Sequence, residues 1–328
     1  MLTQIHFLLT YTCLYECDHC FLYCSPEAEG TFTLQQLRVV FGEIPKIGTI
    51  EMVYFEGGES FLYYPLLLEG LRIAWEQGLE AGVVTNAYWA TSVEDAELWL
   101  KPLKELGLAD LSISDDVFHS SAEENPAKVA LKAAEKLGLP VGAICIEEPV
   151  VEPAGEDDRE KGASIVGGDV VFRGRAIEKL AEGLPTRKWD TLTRCPYEDL
   201  EHPGRVHVDP FGNVHYCQGL SIGNMWEMPL SELLAEYDAA AHPICGPLVR
   251  GGPAQLAREH GIKVEDGYID ECHLCFTARS ALLERYPQYL APRPVWGGIE
   301  ARLPARTTSG GAGPLPGRVP WSLPRRIR

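Results

Sequence analysis

The chain has 328 residues, 45% of them hydrophobic, which is enough for one large domain or two medium ones. Its formal net charge of −18 argues against general binding to nucleic acid or to an anionic membrane. No run of 18 apolar residues suggests a membrane span, and the opening M-L-T-Q-I-H-F lacks the basic start of a signal peptide, so no membrane partner and a cytoplasmic location are expected.

Strand-like runs alternate with helical patterns through the first half. A strand over 5–12 leads into a cysteine-rich loop. Leu34, Leu37, Val40, Phe41 and Ile44 then repeat at helical spacing, with Pro45 read as the stop. A strand over 51–55 follows, and Pro65 and Gly78 frame the next helix. Residues 82–85 read as the third strand, and Ser92 with Asp95 resembles a capping box opening a helix to Leu106. The fourth strand covers 110–114, and a helix runs from Asn125-Pro126 to Gly138. The fifth strand covers 141–146 and a sixth 166–172, with a short helix near 176–182. Such β-α repetition predicts an α/β fold with a parallel sheet, whose sites belong at the carboxyl ends of the strands. The acidic 152–160 stretch stands where a helix between strands five and six is expected.

Beyond residue 190 the pattern changes. Arg205–Cys217 alternates as a β-hairpin around Phe211-Gly212-Asn213, and Cys272-His-Leu-Cys275 opens a helix. Residues 291–328 carry seven arginines and one acid, Glu300, with many Pro and Gly, and read as a disordered tail. The predicted domains are thus 1–185, 186–290 and the tail at 291–328.

The chemistry concentrates in ten cysteines. Cys13, Cys17 and Cys20 form a CxxxCxxC loop. Three soft thiolates so spaced suit three corners of a [4Fe–4S] cluster and leave one iron without a protein ligand, whereas a closed zinc site wants a fourth ligand. About 40 residues on, the strand ends in Gly57-Gly58-Glu59, where glycine permits close approach to backbone. With this pattern the chain resembles the radical S-adenosylmethionine (SAM) enzymes. The resemblance implies a partial (β/α)6 TIM-like barrel and a SAM-binding role for Gly57, Gly58 and Glu59 at the methionine amine. It further implies that Asn86, Ser112, Ser114 and Asp115, at the ends of strands three and four, meet the ribose and carboxylate, and that His19 lies by the adenine. Ser60 departs from the proline usual after the glutamate. His119 and Arg175, at the barrel mouth, are the candidate catalytic side chains. A labile cluster also implies a reducing compartment rather than a disulfide framework.

Cys195, Cys217, Cys272 and Cys275 make a second set, split as a hairpin pair and a CxxC pair. Four thiolates fit a fully ligated [4Fe–4S] cluster or a structural zinc equally well. The resemblance favours the cluster, since radical SAM enzymes often carry a C-terminal auxiliary-cluster domain, a small α+β unit of the twitch or SPASM type. Five cysteines after residue 190 match the one-cluster twitch form better than the seven of the longer form. Cys245 is read as a buried small hydrophobe, Cys24 as a structural or substrate-proximal thiol, and Cys145, in A-I-C-I, as core.

The resemblance implies two [4Fe–4S] clusters, SAM as cofactor, and a flavodoxin- or ferredoxin-type reductant. Reductive cleavage of SAM to a 5′-deoxyadenosyl radical would remove a substrate hydrogen, with a peptide or protein side chain as the substrate. Oxidation of a small-molecule alcohol or sugar is the alternative, and a non-catalytic electron carrier a distant third. Gln218 after Cys217 departs from the acid that sulfatase-maturing members carry there. No peptide-recognition domain is expected ahead of the cysteine loop, which weakens leader binding in cis.

Overall fold

In the computed structural model, residues 1–119, 125–151 and 166–302 are described. The acidic stretch at 152–160 and the tail beyond 302 lie outside them. The chain divides into two compact units, Met1–Gly297 and Gly298–Arg328, and the sheet, the helices and both cysteine groups lie in the first.

Strand β1 (Gln4–Thr10) opens the fold and helix α1 (Leu34–Ile47) follows, begun by a full capping box between Thr33 and Gln36 and ended by left-handed Gly48. The helix runs through Pro45 instead of stopping there. Gly48 carries the C-cap, and the proline sits near the end, where few backbone bonds remain to be lost. Next come β2 (Met52–Gly57), α2 (Tyr64–Glu76, with proline in its first turn), β3 (Glu80–Thr85) and α3 (Val93–Glu105). Only half of the expected capping box forms at α3. Ser92 accepts from the Asp95 N–H, but the Asp95 carboxylate accepts from Thr91 Oγ1. Strand β4 (Asp110–Ser114), α4 (Pro126–Leu137, between the Asn125 cap and left-handed Gly138) and β5 (Val141–Ile144) complete the β-α run.

Val166–Phe172 does not form a sixth barrel strand. Only β7 (Val166–Gly167) is extended, and it pairs antiparallel with β6 (Val150–Val151). Gly168 and Asp169, both at positive φ, turn the chain away before the run can join the sheet. Helix α5 (Arg175–Lys179) and β8 (Arg187–Lys188) lead to a hairpin of β9 (Arg205–Val208) and β10 (Asn213–Cys217), then β11 (Leu220–Asn224). Strand β9 pairs parallel to β1, so it supplies the sixth parallel strand. The eight-stranded sheet runs β11-β10-β9-β1-β2-β3-β4-β5. Helix α6 (Leu230–Glu236), α7 (Cys245–His260, kinked at Gly251-Gly252), β12 (Gly267–Tyr268, paired with β8) and α8 (Glu271–Ser280) follow.

The two faces of the parallel sheet differ in chemistry. Ile5, Phe7 and Leu9 of β1, Val53 and Phe55 of β2, Leu111 and Ile113 of β4, and Val206 and Val208 of β9 are fully buried. Phe7 stacks between Phe41 of α1 and Phe55, with ring centroids 5.1 Å apart in each pair. By the period-2 alternation of a strand, the inner face carries Gln4 and His6, Tyr54 and Glu56, Asp110, Ser112 and Ser114, and Arg205 and His207. A parallel sheet buried on both faces ordinarily reads as continuous apolar runs, so this polar inner face marks the barrel interior as a site. Gly82 exists for it: a Cβ there would stand 2.2 Å from the Tyr54 ring, which crosses β3 to meet Asp110.

Candidate functional site

Cys13, Cys17 and Cys20 line one open cavity of about 1070 Å³ at the carboxyl end of the parallel strands, together with Gly57, Gly58, Asn86, Ser114, His19 and His119. The cysteine loop is held from outside the barrel. Arg175, expected to face the mouth, is buried and donates from Nη1 to the Cys17 carbonyl at 2.8 Å and from Nη2 to the Cys24 carbonyl at 2.9 Å, while its N–H donates to the Cys20 carbonyl. Gly174 before it lies 2.5 Å, at its would-be Cβ, from the Phe21 backbone, so only glycine admits this clamp. Arg175 therefore positions the loop and does not line the cavity.

Gly57 and Gly58 serve packing as well as access. Cβ atoms there would stand 2.4 Å from the Thr10 carbonyl and 2.2 Å from the Thr12 carbonyl. The Gly58 and Glu59 N–H groups donate to those same carbonyls, which stitches the end of β2 to the start of the cysteine loop. The Glu59 carboxylate is 1% exposed and outside the cavity lining. It accepts from the Phe61 N–H at 3.0 Å, the Asn86 N–H at 2.8 Å and Thr85 Oγ1 at 2.8 Å. Burial pushes its pKa up to about 7 against the pull of those donors. Asn86 in turn directs Nδ2 to Cys13 Sγ at 3.6 Å.

Of the remaining expected residues, Ser114 reaches the cavity, whereas Ser112 donates to Asp110 Oδ2 and Asp115 accepts from Asn125 Nδ2. His19 packs on Phe118 with Nδ1 unpartnered, and burial lowers its pKa to about 4. His119 is held by Asp116 Oδ1, 2.7 Å from its Nδ1. Burial raises Cys13 to about 11 and Cys17 to about 12, whereas the Cys24 thiol beside Cys20 lowers the latter to about 6. Cys24 is thus a buried companion of Cys20. Cys24, its thiol engaged with Cys20, also lines this cavity, whose nearest guanidinium is spent on backbone carbonyls. Such a soft, electron-rich donor set fits an iron–sulfur cluster with one open iron, and a cationic sulfonium compound beside it.

The second set also converges. Cys195, Cys217, Cys272 and Cys275 line one tight pocket of about 460 Å³ with Arg173 and Arg279. Arg173 Nη1 donates to Cys217 Sγ at 2.8 Å, and Arg279 Nη1 donates to the Gln218 carbonyl at 3.1 Å. Both guanidiniums are buried and both Nε atoms lack a partner. Unpaired buried cations are costly, so two of them aimed at four thiols fit an anionic, all-thiolate metal group there. Cys245 is fully buried outside this pocket, beside Tyr237. Cys145, read as core, is exposed instead, because β5 is the edge of the described sheet and the residue lies past its end.

Sequence reasoning passed over Arg279 as a ligand-facing cation, and passed over Gln4, His6, Tyr54, Glu56 and His207 altogether. The signal was present in the polar alternation of β1, β2, β4 and β9.

The cysteine loop and the glycine pair stand together at the carboxyl end of the parallel strands, where the resemblance to the radical SAM enzymes puts them. No protein-family profile matches the chain. It is 29% identical over 108 residues to "Putative peptide biosynthesis protein YydG" of Bacillus subtilis (strain 168), a match covering 33% of this chain and 34% of that relative. The chain thus aligns with about a third of the relative's length. Among solved structures it is similar to BtrN in complex with AdoMet and 2-DOIA, at 16% identity and TM-score 0.48, over 73% of this chain and 83% of that one. Streptococcus suis SuiB bound to precursor peptide SuiA has TM-score 0.43 and 13% identity, over 83% of this chain and 76% of that one. No helix among the described residues is long and apolar enough to cross a membrane.

Proposed function

We propose that the chain reductively cleaves SAM and uses the resulting radical to modify a peptide or protein side chain. The carrying observation is the single cavity that gathers Cys13, Cys17 and Cys20 with Asn86, Ser114 and the glycine pair. In this reading Cys13, Cys17 and Cys20 hold a [4Fe–4S] cluster with one open iron, and Cys195, Cys217, Cys272 and Cys275 hold a second, fully ligated cluster. The bound cluster and SAM supply one-electron cleavage of the sulfonium and a carbon radical able to remove a substrate hydrogen. The chain itself braces the cysteine loop through Arg175, fixes the strand ends through Glu59 and neutralises the second thiolate set with Arg173 and Arg279. A flavodoxin- or ferredoxin-type protein is the proposed electron source.

One feature supports a peptide: the Bacillus subtilis relative is named for peptide biosynthesis. The test is deuterium transfer into 5′-deoxyadenosine from labelled candidates. Label arriving from short peptides encoded beside the gene is expected. Label arriving only from a small alcohol or sugar would replace the peptide reading with a dehydrogenase.

A further inference from the structure

Between the two cysteine sites lies a chamber of about 630 Å³. It shares Glu56 and Gly57 with the first cavity and Arg173 and Glu198 with the second pocket. Three side chains of its wall come from adjacent parallel strands. His6 of β1 lies in register with His207 of β9, and Glu56 projects from β2 on the other side of β1.

Their ligand atoms face one another. His6 Nδ1 is 3.4 Å and His207 Nε2 3.2 Å from the same oxygen, Glu56 Oε1. The donor atoms of all three lie within 4.8 Å of one another. Two ligands about 2.0–2.1 Å from one cation stand about 2.9 Å apart at a right angle and about 3.4 Å apart at the tetrahedral angle. Both observed separations fall in that interval.

The outer contacts point the same way. His6 Nε2 is 3.3 Å from Gln4 Oε1, while Nδ1 is the ring nitrogen turned to the carboxylate. His6 Nδ1, the nitrogen that faces Glu56, lacks a hydrogen-bond partner, and both histidines are buried. The Gln4 contact is the kind of outer hydrogen bond that fixes the tautomer of a ligating imidazole.

We propose that His6, Glu56 and His207 form a binding site for a first-row divalent cation, zinc foremost, open towards the chamber between the two cysteine sites. Two neutral imidazoles and one carboxylate leave a bound dication with net positive charge. The open coordination position would accept an oxygen or nitrogen of whatever occupies the chamber. This site is independent of the substrate proposed above and uses no cysteine.

Anaerobically reconstituted holoenzyme titrated with zinc chloride tests it by metal analysis and zinc K-edge X-ray absorption. The expected result is about one equivalent of zinc with a nitrogen/oxygen shell near 2.0–2.1 Å and imidazole scattering. Sulfur-bound zinc alone, near 2.3 Å, would overturn the proposal. Glu56→Gln and His207→Gln should each weaken that zinc by more than about 100-fold, beyond the usual effect of an outer residue. Unchanged nitrogen/oxygen zinc in both folded variants would also overturn it. Should either variant misfold, the wild-type absorption spectrum still decides. The Cys13→Ala/Cys17→Ala/Cys20→Ala variant should lose SAM cleavage yet keep this zinc, which separates the two proposals.

Discussion

The two cysteine sites solve opposite electrostatic problems. At the N-terminal loop Cys13, Cys17 and Cys20 open onto a large cavity, and the one nearby guanidinium, Arg175, is committed to the carbonyls of Cys17 and Cys24. At the C-terminal site four thiols close a pocket less than half that size, with two buried guanidiniums for company. A site that must admit a cationic ligand leaves its negative charge exposed to that ligand. A site that admits none carries its counter-charges in the fold. The number of thiolates distinguishes the sites less sharply than the placement of arginine does.

Removing Cys13, Cys17 and Cys20 together should give the largest effect, loss of about four of about eight irons and of all SAM cleavage. Iron analysis and 5′-deoxyadenosine formation read both, and cleavage surviving in the triple variant would end the distinction between an open and a closed site. Arg279→Met should act on the other side. It strips a buried counter-charge from the four-thiolate pocket and should cost about 3–5 kcal/mol in denaturant unfolding. About four irons should be lost with it, while SAM cleavage persists.

Glu59→Gln is expected to be milder, at about 1–3 kcal/mol, because an amide hydrogen would face groups that now donate to the carboxylate. Its pH signature is distinctive. The folded pKa of about 7 lies above the unfolded value of about 4.3, so the folded state holds the extra proton between them. The stability this group contributes is therefore full below about pH 4 and declines as pH rises to about 7. The variant should lack that decline in unfolding midpoints measured across the range. Cys245→Ala should do least, on the order of 1 kcal/mol in stability with iron unchanged. Loss of iron in that variant would bring Cys245 into the second site.

What could be read in advance follows from how local each signal is. The cap at Asn125, the frame of Pro65 and Gly78 and the hairpin depend on neighbours a few residues away, and each stands where the sequence puts it. Spacing likewise singled out Cys13, Cys17 and Cys20, and then Cys195, Cys217, Cys272 and Cys275, which line the two pockets, but it left out Cys24, which lines the first pocket too. The sixth parallel strand was misplaced because β-propensity in Val166–Phe172 outweighed Gly167-Gly168, whose turn takes the chain out of the sheet. Arg279 looked like an ordinary basic residue in the last turn of α8, and only tertiary packing buries it against Trp296, 5.2 Å from the ring centroid. His6 and His207 are far apart in the chain, and nothing nearer than the β1–β9 pairing connects them.

That pairing has one more consequence. The loop bearing Cys13 continues from β1, and the strand ending at Cys217 belongs to the hairpin that lies along β1 from Gln4 to Phe7. A polypeptide ended at residue 185 would strip Gln4, Ile5, His6 and Phe7 of their partners and leave a flat row of unpaired amides and carbonyls flanked by apolar side chains, a template for self-association. Attempts to isolate residues 1–185 should therefore meet insoluble material, and adding back 186–297 as a separate polypeptide should rescue it by supplying the missing strand.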